Sequence, residues 1–549
     1  MNEYSFTNIM TPLRFGFPEG GIVNPSADTL PLQDRVAAKL LARQAQVVPD
    51  RPFVFFRGQW LTYGEADARA NQVANAFAAQ GIRKGMRVGI LLRNRLEFLD
   101  LWFGLSRLGA IQVPLNPEYR APQLAHVLQR APIEMVIAER DLIPELQVAL
   151  STTDRRPKLM TLGAHPASRV GLSYESEVGS ASAQPPAGAE EISGADPGAV
   201  MNTSGTTGPS KGVLLSHAQQ YVLARTIAAD MDLGPGDVFY NFFPLFHNTA
   251  QAMITIPVLM VGARMVLTER FSASRFWPEA VEYGCTAFYY IGEIMHILLK
   301  STTQRDATGS RLRIGWGIGT RPNDFLEFQK RFQIPLRTGY GSTEANVPCV
   351  LPRGSKEVDS AGRAVPGFEI RIANELGEAV PAGVQGEILV RADEPFALML
   401  GYDGDPPATV AAWQHLWLHT GDAATMSEDG DIDFKGRVKD AVRVRGENIS
   451  AFEIEQAICE LPEVAEVAAI AVPGELGGDD LKIVVVKRDG AELTPEDLIA
   501  HAQSCLPRYS IPRYVEFVNA LPKTATNKVQ KHVLRSTPFT PTTWDRTRG

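Results

Sequence analysis

The chain has 549 residues, 44% of them hydrophobic and 21% charged, a length that exceeds one core in a composition typical of globular proteins. Its 62 acidic against 54 basic side chains leave a formal net charge of -8, which excludes a general nucleic-acid binder while allowing a local basic pocket. The cysteines Cys285, Cys349, Cys459 and Cys505 form no C-x-x-C pair, which excludes a zinc knuckle or redox dithiol and predicts buried thiols in a reducing compartment.

The N-terminal MNEYSFTNIMTPLRFGFPEGG has no continuous apolar run, so no export is expected. Ala70, Val73, Ala74, Phe77 and Ala78 recur at helical spacing, and Val88, Ile90 and Leu91 form a strand after the turn signals Gly81 and Lys84-Gly85. Helices over 101–108 and 123–129 alternate with strands over 110–115 and 134–138, which predicts a largely parallel sheet with helices packed on its faces. Residues 179–198, rich in Ser, Ala, Pro and Gly, read as an exposed connector. The longest apolar stretch, 253–263, is far short of the ~20 residues that cross a bilayer and reads as a buried strand or helix. Beyond Arg437 a helix, a strand over 464–472 and a strand over 482–486 suggest a small separate domain.

Directly after the connector, residues 201–217 read MNTSGTTGPSKGVLLSH. Gly205, Gly208 and Gly212 let the backbone bring N–H groups close to an anion. Thr203, Ser204, Thr206 and Thr207 add hydroxyl donors, and Lys211 adds a charge. The chemistry is that of a polyphosphate cradle, although a flexible surface loop has the same composition. A Walker-type P-loop is excluded, because Ser210 and Gly212 flank the lysine. A second string, TGYGSTE at 338–344, follows Gly315, Gly317 and Gly319 and offers a planar ring, a hydroxyl and a carboxylate; taken alone it is equally a turn. WLHTGD at 417–422 presents a carboxylate suited to ribose hydroxyls. Gly436-Arg437 precedes Lys439, and PKTATNK at 522–528 sets a lysine on a small-residue loop.

In this order and spacing the five elements resemble the adenylate-forming superfamily of acyl-CoA synthetases, firefly luciferases and peptide-synthetase adenylation domains, over nearly the whole chain from Leu61 to Lys531. RVRGENISAFEIE at 443–455 looks like carnitine or crotonobetaine CoA ligases, and FYYIGE at 288–293 with G-x-G-x-R at 317–321 looks like very-long-chain fatty acyl-CoA synthetases. The resemblance implies an α/β fold: a large N-terminal AMP-binding domain, 1–437, of two α/β sheet lobes plus a distorted β-barrel, and a small mobile α+β C-terminal domain, 438–549. It also implies a cytoplasmic carboxylic acid:CoA ligase that forms AMP and pyrophosphate, takes ATP, Mg²⁺ and coenzyme A, meets a membrane at most peripherally, and is compatible with a homodimer.

By motif, Thr203, Ser204, Gly205, Thr206, Thr207, Gly208 and Lys211 would cradle the phosphates, and Glu344 with Thr206 would place Mg²⁺. Thr343 would touch the α-phosphate; Gly317, Gly319, Gly339, Gly341 and Ser342 would flank the nucleotide while Tyr340 stacks on adenine. Asp422 would bind ribose, Arg437 ribose or phosphates, and Lys528 would bridge carboxylate and α-phosphate, so that Lys528, Thr343, Glu344 and His247 carry catalysis. Lys439 falls at the hinge, a position that many relatives fill with Asp, and Arg445, Gly446 and Glu447 face coenzyme A. His247, Tyr289, Tyr290, Gly292, Trp316 and Asn346 are acyl-pocket positions, with Gly292 leaving the floor open to a long or bulky acid. Two departures stand out: Pro209-Ser210 ahead of Lys211, and Asn527 where relatives carry glycine. The acid stays open among fatty, aryl, aryl-propionic, steroid side-chain and carnitine-like acids. The carnitine-ligase likeness lies in the strand that faces coenzyme A and does not read the acid, which leaves a hydrophobic acid as the reading of choice. The alternatives are transfer to a carrier-protein thiol or an amine, and a silent nucleotide-binding scaffold.

Overall fold

The computed structural model describes residues 29–163, 171–203, 211–355, 358–438, 442–444, 447–449, 451–473, 479–506, 510–523 and 529–548. Thr62 starts the first long helix, Tyr63–Ala79, with a capping box: its Oγ1 accepts from Glu65 N at 3.2 Å, and Glu65 Oε2 accepts from Thr62 N at 2.8 Å. The face carrying Ala70, Val73, Ala74 and Phe77 is buried. It packs closely on the helix Leu96–Arg107, because Gly104 has no side chain where a Cβ would lie 2.5 Å from Val73. Arg69–Asp100 and Arg107–Asp67 ion pairs tie these helices together.

Two large sheets follow from the α/β alternation. One has eight strands in the order Gly401–Tyr402, Lys211–Ser216, Pro197–Thr203, Ile111–Pro114, Arg87–Leu91, Ile133–Glu139, Lys158–Leu162 and Leu172–Ser173. It is parallel except at the first edge, where Lys211–Ser216 runs antiparallel to both neighbours. The other has nine strands, parallel from Leu336–Ser342 through Ile314–Ile318, Ala287–Ile291, Val238–Asn241 and Arg264–Leu267 to Pro52–Phe56. Asn346–Val350 and Arg363–Ala364 extend it antiparallel at one edge, and Gln59–Thr62 does so at the other. The main core joins both sheets, with Val88 and Ile90 from one and Met265, Tyr289 and Trp316 from the other. The helix His217–Asp230 is buried without a break from His217 to Ala224, as expected for an element enclosed on all sides.

Phe368–Ala373, Gly386–Ala392, Trp413–Gln414, Trp417–Met426 and Ile432–Arg437 form a five-stranded antiparallel sheet where the barrel was expected. At the C-terminal end Val464–Pro473, Asp479–Lys487, Tyr514–Phe517 and Trp544–Asp545 build a four-stranded sheet. Helices Ala451–Ile458 and Pro495–Cys505 cover it, with a core of its own that includes Ile454, Val467, Ile483, Leu498 and Val515.

Two expectations change. The 179–198 connector is only partly exposed and is pinned: Asn71 Nδ2 donates to Ala183 O at 2.9 Å, and Asn75 Nδ2 donates to Ser182 O and Gln184 O at 2.8 Å. Cys285 and Cys349 are buried thiols, but Cys459 is half-buried and Cys505 is exposed, because it ends a helix whose inward face is Leu498, Ile499 and Ala502. The apolar stretch at 253–263 takes the helical of its two expected buried forms, continuing a π-helical turn, Thr249–Thr255, into the buried helix Ile256–Val261. Among the described residues no helix is long and apolar enough to cross a membrane.

Candidate active site

The carboxyl ends of the parallel strands are where an open α/β sheet binds ligands. Thr203, Gly317, Gly319 and residues 339–343 lie at or just past such ends, whereas Asp422 and Arg437 come from the five-stranded antiparallel sheet. Pro197–Thr203 and Lys211–Ser216 pair up to Thr203 and Lys211, with Thr203 Oγ1 3.4 Å from Lys211 O, so the two strand ends close the base of the phosphate-loop candidate. Its members Ser204, Gly205, Thr206, Thr207 and Gly208, with Pro209 and Ser210, lie outside the described residues. Gly212 is required by packing: a Cβ there would sit 2.5 Å from the Arg130 guanidinium, which donates to Asn202 Oδ1 at 2.6 Å.

Lys211 Nζ lies 4.3 Å above the ring centroid of Tyr402, and the Tyr402 hydroxyl donates to Glu344 Oε1 at 3.2 Å. Burial, then the Glu344 charge, raises the Tyr402 phenol far above its ordinary value, so it stays a donor. Tyr402 was missed by sequence reasoning; a lone tyrosine in LGYDGD carries no pattern that separates it from a turn residue.

Glu344 sits at a hairpin tip. Ser342 pairs with Asn346, leaving Thr343, Glu344 and Ala345 as a three-residue loop. Asn346 takes a left-handed φ of 68°, which Asn tolerates better than most residues and which such hairpins use. The tip is held from behind: Gln219 Nε2 donates to Thr343 O at 2.9 Å and Glu344 O at 3.3 Å, and Ser342 Oγ accepts from Ala345 N at 3.0 Å. Gln219 is a second residue the motif reading did not find. A Cβ on Gly339 would lie 2.3 Å from Cys349 O, and one on Gly341 2.4 Å from Asn346 O, so the close hairpin itself demands these glycines. Gly317 is filled in the same way by the Tyr290 backbone and ring, whereas Gly319, at φ 70°, faces open space.

Asp422 is 4% exposed and pairs in register with Arg437 across antiparallel strands. Its carboxylate accepts from the Tyr340 hydroxyl at 2.6 Å and meets Arg437 Nε at 2.8 Å. Burial, then Asp422, pushes the Tyr340 phenol well above its ordinary value. Gly421, at φ 72°, sits in a bulge of the strand Trp417–Met426 just before the aspartate, and Glu387 locks it by accepting from Gly421 N at 2.9 Å and bonding His419 Nδ1 at 2.8 Å.

On the acyl side, His247 Nδ1 accepts from Thr249 N at 3.3 Å and lies 3.0 Å from Thr249 Oγ1. Asn94 fixes the turn before it, donating to Phe243 O at 3.0 Å and accepting from Leu245 N at 2.8 Å. Beneath lie Tyr289, edge-on to Phe243 at 5.1 Å, and Trp316, stacked on Tyr289 at 5.7 Å. Both are fully buried, so they form a floor behind any pocket rather than an open lining. Three pocket expectations are corrected. Strand alternation sends Tyr290 to the opposite sheet face, where its hydroxyl donates to Arg337 O at 2.7 Å within a separate core. Gly292 does not open a floor: a Cβ would meet Gly319 O at 1.9 Å, so backbone contact explains the glycine. Asn346 spends its amide donors on Gln219 O and Ala397 O at 3.1 and 2.9 Å, holding the hairpin tip.

Lys439, Arg445, Gly446 and Lys528 lie outside the described residues; Glu447 begins the strand Glu447–Ile449, paired with Val442–Val444. The loop that carries Lys528 is closed at its base by a Lys523↔Val529 bridge and by Gln530 N donating to Pro522 O at 2.7 Å. Lys523 Nζ lies 2.9 Å from Glu466 and 3.5 Å from Glu293, the latter just past Ala287–Ile291 in the nine-stranded sheet.

Residues 41–403 match the family model described as AMP-binding enzyme, and 453–528 match the AMP-binding enzyme C-terminal domain. A crotonobetaine/carnitine–CoA ligase of Proteus mirabilis is 30% identical over 86% of this chain and 92% of its own. A sulfoacetate–CoA ligase of Cupriavidus necator is 30% identical over 91% and 97%. Among solved structures, the anthranilate CoA ligase AuaEII in complex with anthranoyl-AMP superposes with a TM-score of 0.84 at 25% identity, covering 92% of this chain and 98% of that one. ATP-bound MatB of Rhodopseudomonas palustris gives 0.80 at 27% identity, covering 91% and 98%. The two family models cover most of the chain that the site residues occupy, and the chain belongs to the AMP-binding enzyme family as an AMP-forming acid–CoA ligase.

Proposed function

We propose that this ligase activates a hydrophobic carboxylic acid in the cytoplasm. The observation that carries the reading is the aromatic floor of Phe243, Tyr289 and Trp316 under the His247 turn. A charged head group would need a counter-charge there. The nearby Asp230 is already bound by Trp316 Nε1 at 2.8 Å and Arg337 Nε at 3.0 Å.

In the first half-reaction a carboxylate oxygen bonds to the α-phosphorus of ATP and the bond to pyrophosphate breaks, giving acyl-AMP. Both reactants are anionic, so neutralised charge and in-line placement carry the rate. Lys211 holds phosphate charge, Thr343 meets the α-phosphate, Asp422 takes the ribose hydroxyls, and Arg437 orients Asp422. Lys528 stabilises the charge that grows between carboxylate and phosphorus. Glu344 is a half-buried carboxylate whose hydrogen bond comes from a neutral phenol, a hard oxygen donor that fits Mg²⁺. Mg²⁺ held there with Thr206 would offset charge on the triphosphate oxygens. In the second half-reaction domain 438–549 turns about Lys439 against domain 1–437, Arg445, Gly446 and Glu447 come to face coenzyme A, and its thiolate attacks the acyl carbon to expel AMP.

A pyrophosphate-release screen over aliphatic, aryl, carnitine-like and sulfonated acids tests the substrate class. Aliphatic or aryl acids should give the highest kcat/KM. A preference for carnitine or sulfoacetate would overturn the hydrophobic reading.

A further inference from the structure

Lys211 and Glu344 carry opposite charges and come from different sheets, one from the antiparallel edge of the eight-stranded sheet and one from the hairpin tip of the nine-stranded sheet. Neither forms an ion pair among the described residues. Tyr402 stands between them, its ring under the ammonium at 4.3 Å and its hydroxyl on the carboxylate at 3.2 Å. A direct pair would neutralise both groups and oppose their capture by a metal–triphosphate.

Tyr402 is itself firmly placed. It pairs with Val213 in the sheet, and its N–H donates to Thr409 Oγ1 at 2.8 Å. The next residue, Asp403, is stapled by its N–H to Gly212 O at 2.7 Å and by an ion pair with Arg87. The strand that positions Lys211 therefore also positions the ring beneath it.

Resting on the ligase site described above, we propose that Tyr402 is a positioning residue that holds Lys211 and Glu344 apart and aimed for the β- and γ-phosphates and their metal. The ring serves Lys211 by a cation–π contact, and the hydroxyl serves Glu344. The two contributions are separable. Tyr402→Phe keeps the spacer and loses the hydrogen bond, whereas Tyr402→Leu loses both.

The test is calorimetric binding of MgATP, of ATP in EDTA and of AMP to wild type and both variants. For Tyr402→Phe the Kd for MgATP should rise about three- to tenfold while metal-free ATP changes less than about twofold, the order of one hydrogen bond's net contribution. Tyr402→Leu should weaken MgATP by more than about tenfold and also weaken metal-free ATP by about threefold. AMP, which has no β- or γ-phosphate, should bind both variants as it binds wild type. Equal losses for AMP and MgATP would reduce Tyr402 to a structural role and overturn the proposal, as would unchanged MgATP binding in Tyr402→Leu. Wild type that binds neither MgATP nor AMP would overturn the nucleotide-site reading itself.

Discussion

His217 follows the phosphate-loop strand, is 2% exposed, and has no hydrogen-bond partner on either ring nitrogen among the described residues. Burial is the main cause that lowers its pKa from 6.5 to about 4, partly offset by Asp196 and reinforced by Lys84 and Lys39. The unfolded chain therefore takes up a proton between pH 6.5 and 4 that the folded one refuses, and stability contributed by the neutral ring is full above 6.5 and falls by about 3 kcal/mol as pH drops through that window. Buried Asp100, raised from 3.8 to about 6 chiefly by desolvation, acts in the opposite sense, so the difference between wild type and His217→Gln isolates the histidine. Denaturant unfolding at pH 7 and pH 4.5 should show wild type losing more stability on acidification than the variant. Equal losses would contradict the buried neutral ring. At this scale the sequence is legible where a residue acts through its chemistry: Lys211 and Glu344 meet on Tyr402, and Arg437 and Tyr340 meet on Asp422. Tyr402 and Gln219 were illegible, because their roles depend on where distant strands bring them.

At the scale of elements, turn chemistry was readable and strand facing was not. The TGYGSTE string names a turn, and the hairpin tip follows from its Ser342↔Asn346 pairing. FYYIGE gives no sign of which tyrosine faces the site, since a period of two fixes alternation but not which set points inward. Register settled it, placing Tyr289 on Trp316 and Tyr290 across Gly317. The same register places Gly292 against Gly319. Gly292→Ala should lower stability by about 1–3 kcal/mol through that overlap, read by denaturant midpoint, without shifting preference for acid length. A variant as stable as wild type that instead rejects longer acids would restore the open-floor reading.

At the scale of the molecule, the α/β alternation and the change of pattern after Arg437 were legible, and the contact between the C-terminal sheet and the large sheets was not. Lys523 joins Glu466 and Glu293 across that contact, so its loss leaves two carboxylates facing each other. Lys523→Glu should slow adenylation, measured as acid-dependent ATP–pyrophosphate exchange, by about tenfold or more. On the proposed domain alternation, thioester formation from supplied acyl-AMP should be spared. Equal slowing of both half-reactions would contradict a role in the adenylating orientation, and the double variant Glu293→Lys, Lys523→Glu should recover part of the exchange.

The most direct measurement of the whole account is product analysis of wild-type protein given ATP, Mg²⁺ and its best hydrophobic acid, with and without coenzyme A. Acyl-AMP and pyrophosphate should form in one-to-one ratio without coenzyme A, and its addition should convert the adenylate to acyl-CoA with release of one AMP per thioester. Formation of ADP, or an adenylate that persists unchanged in the presence of coenzyme A, would contradict it.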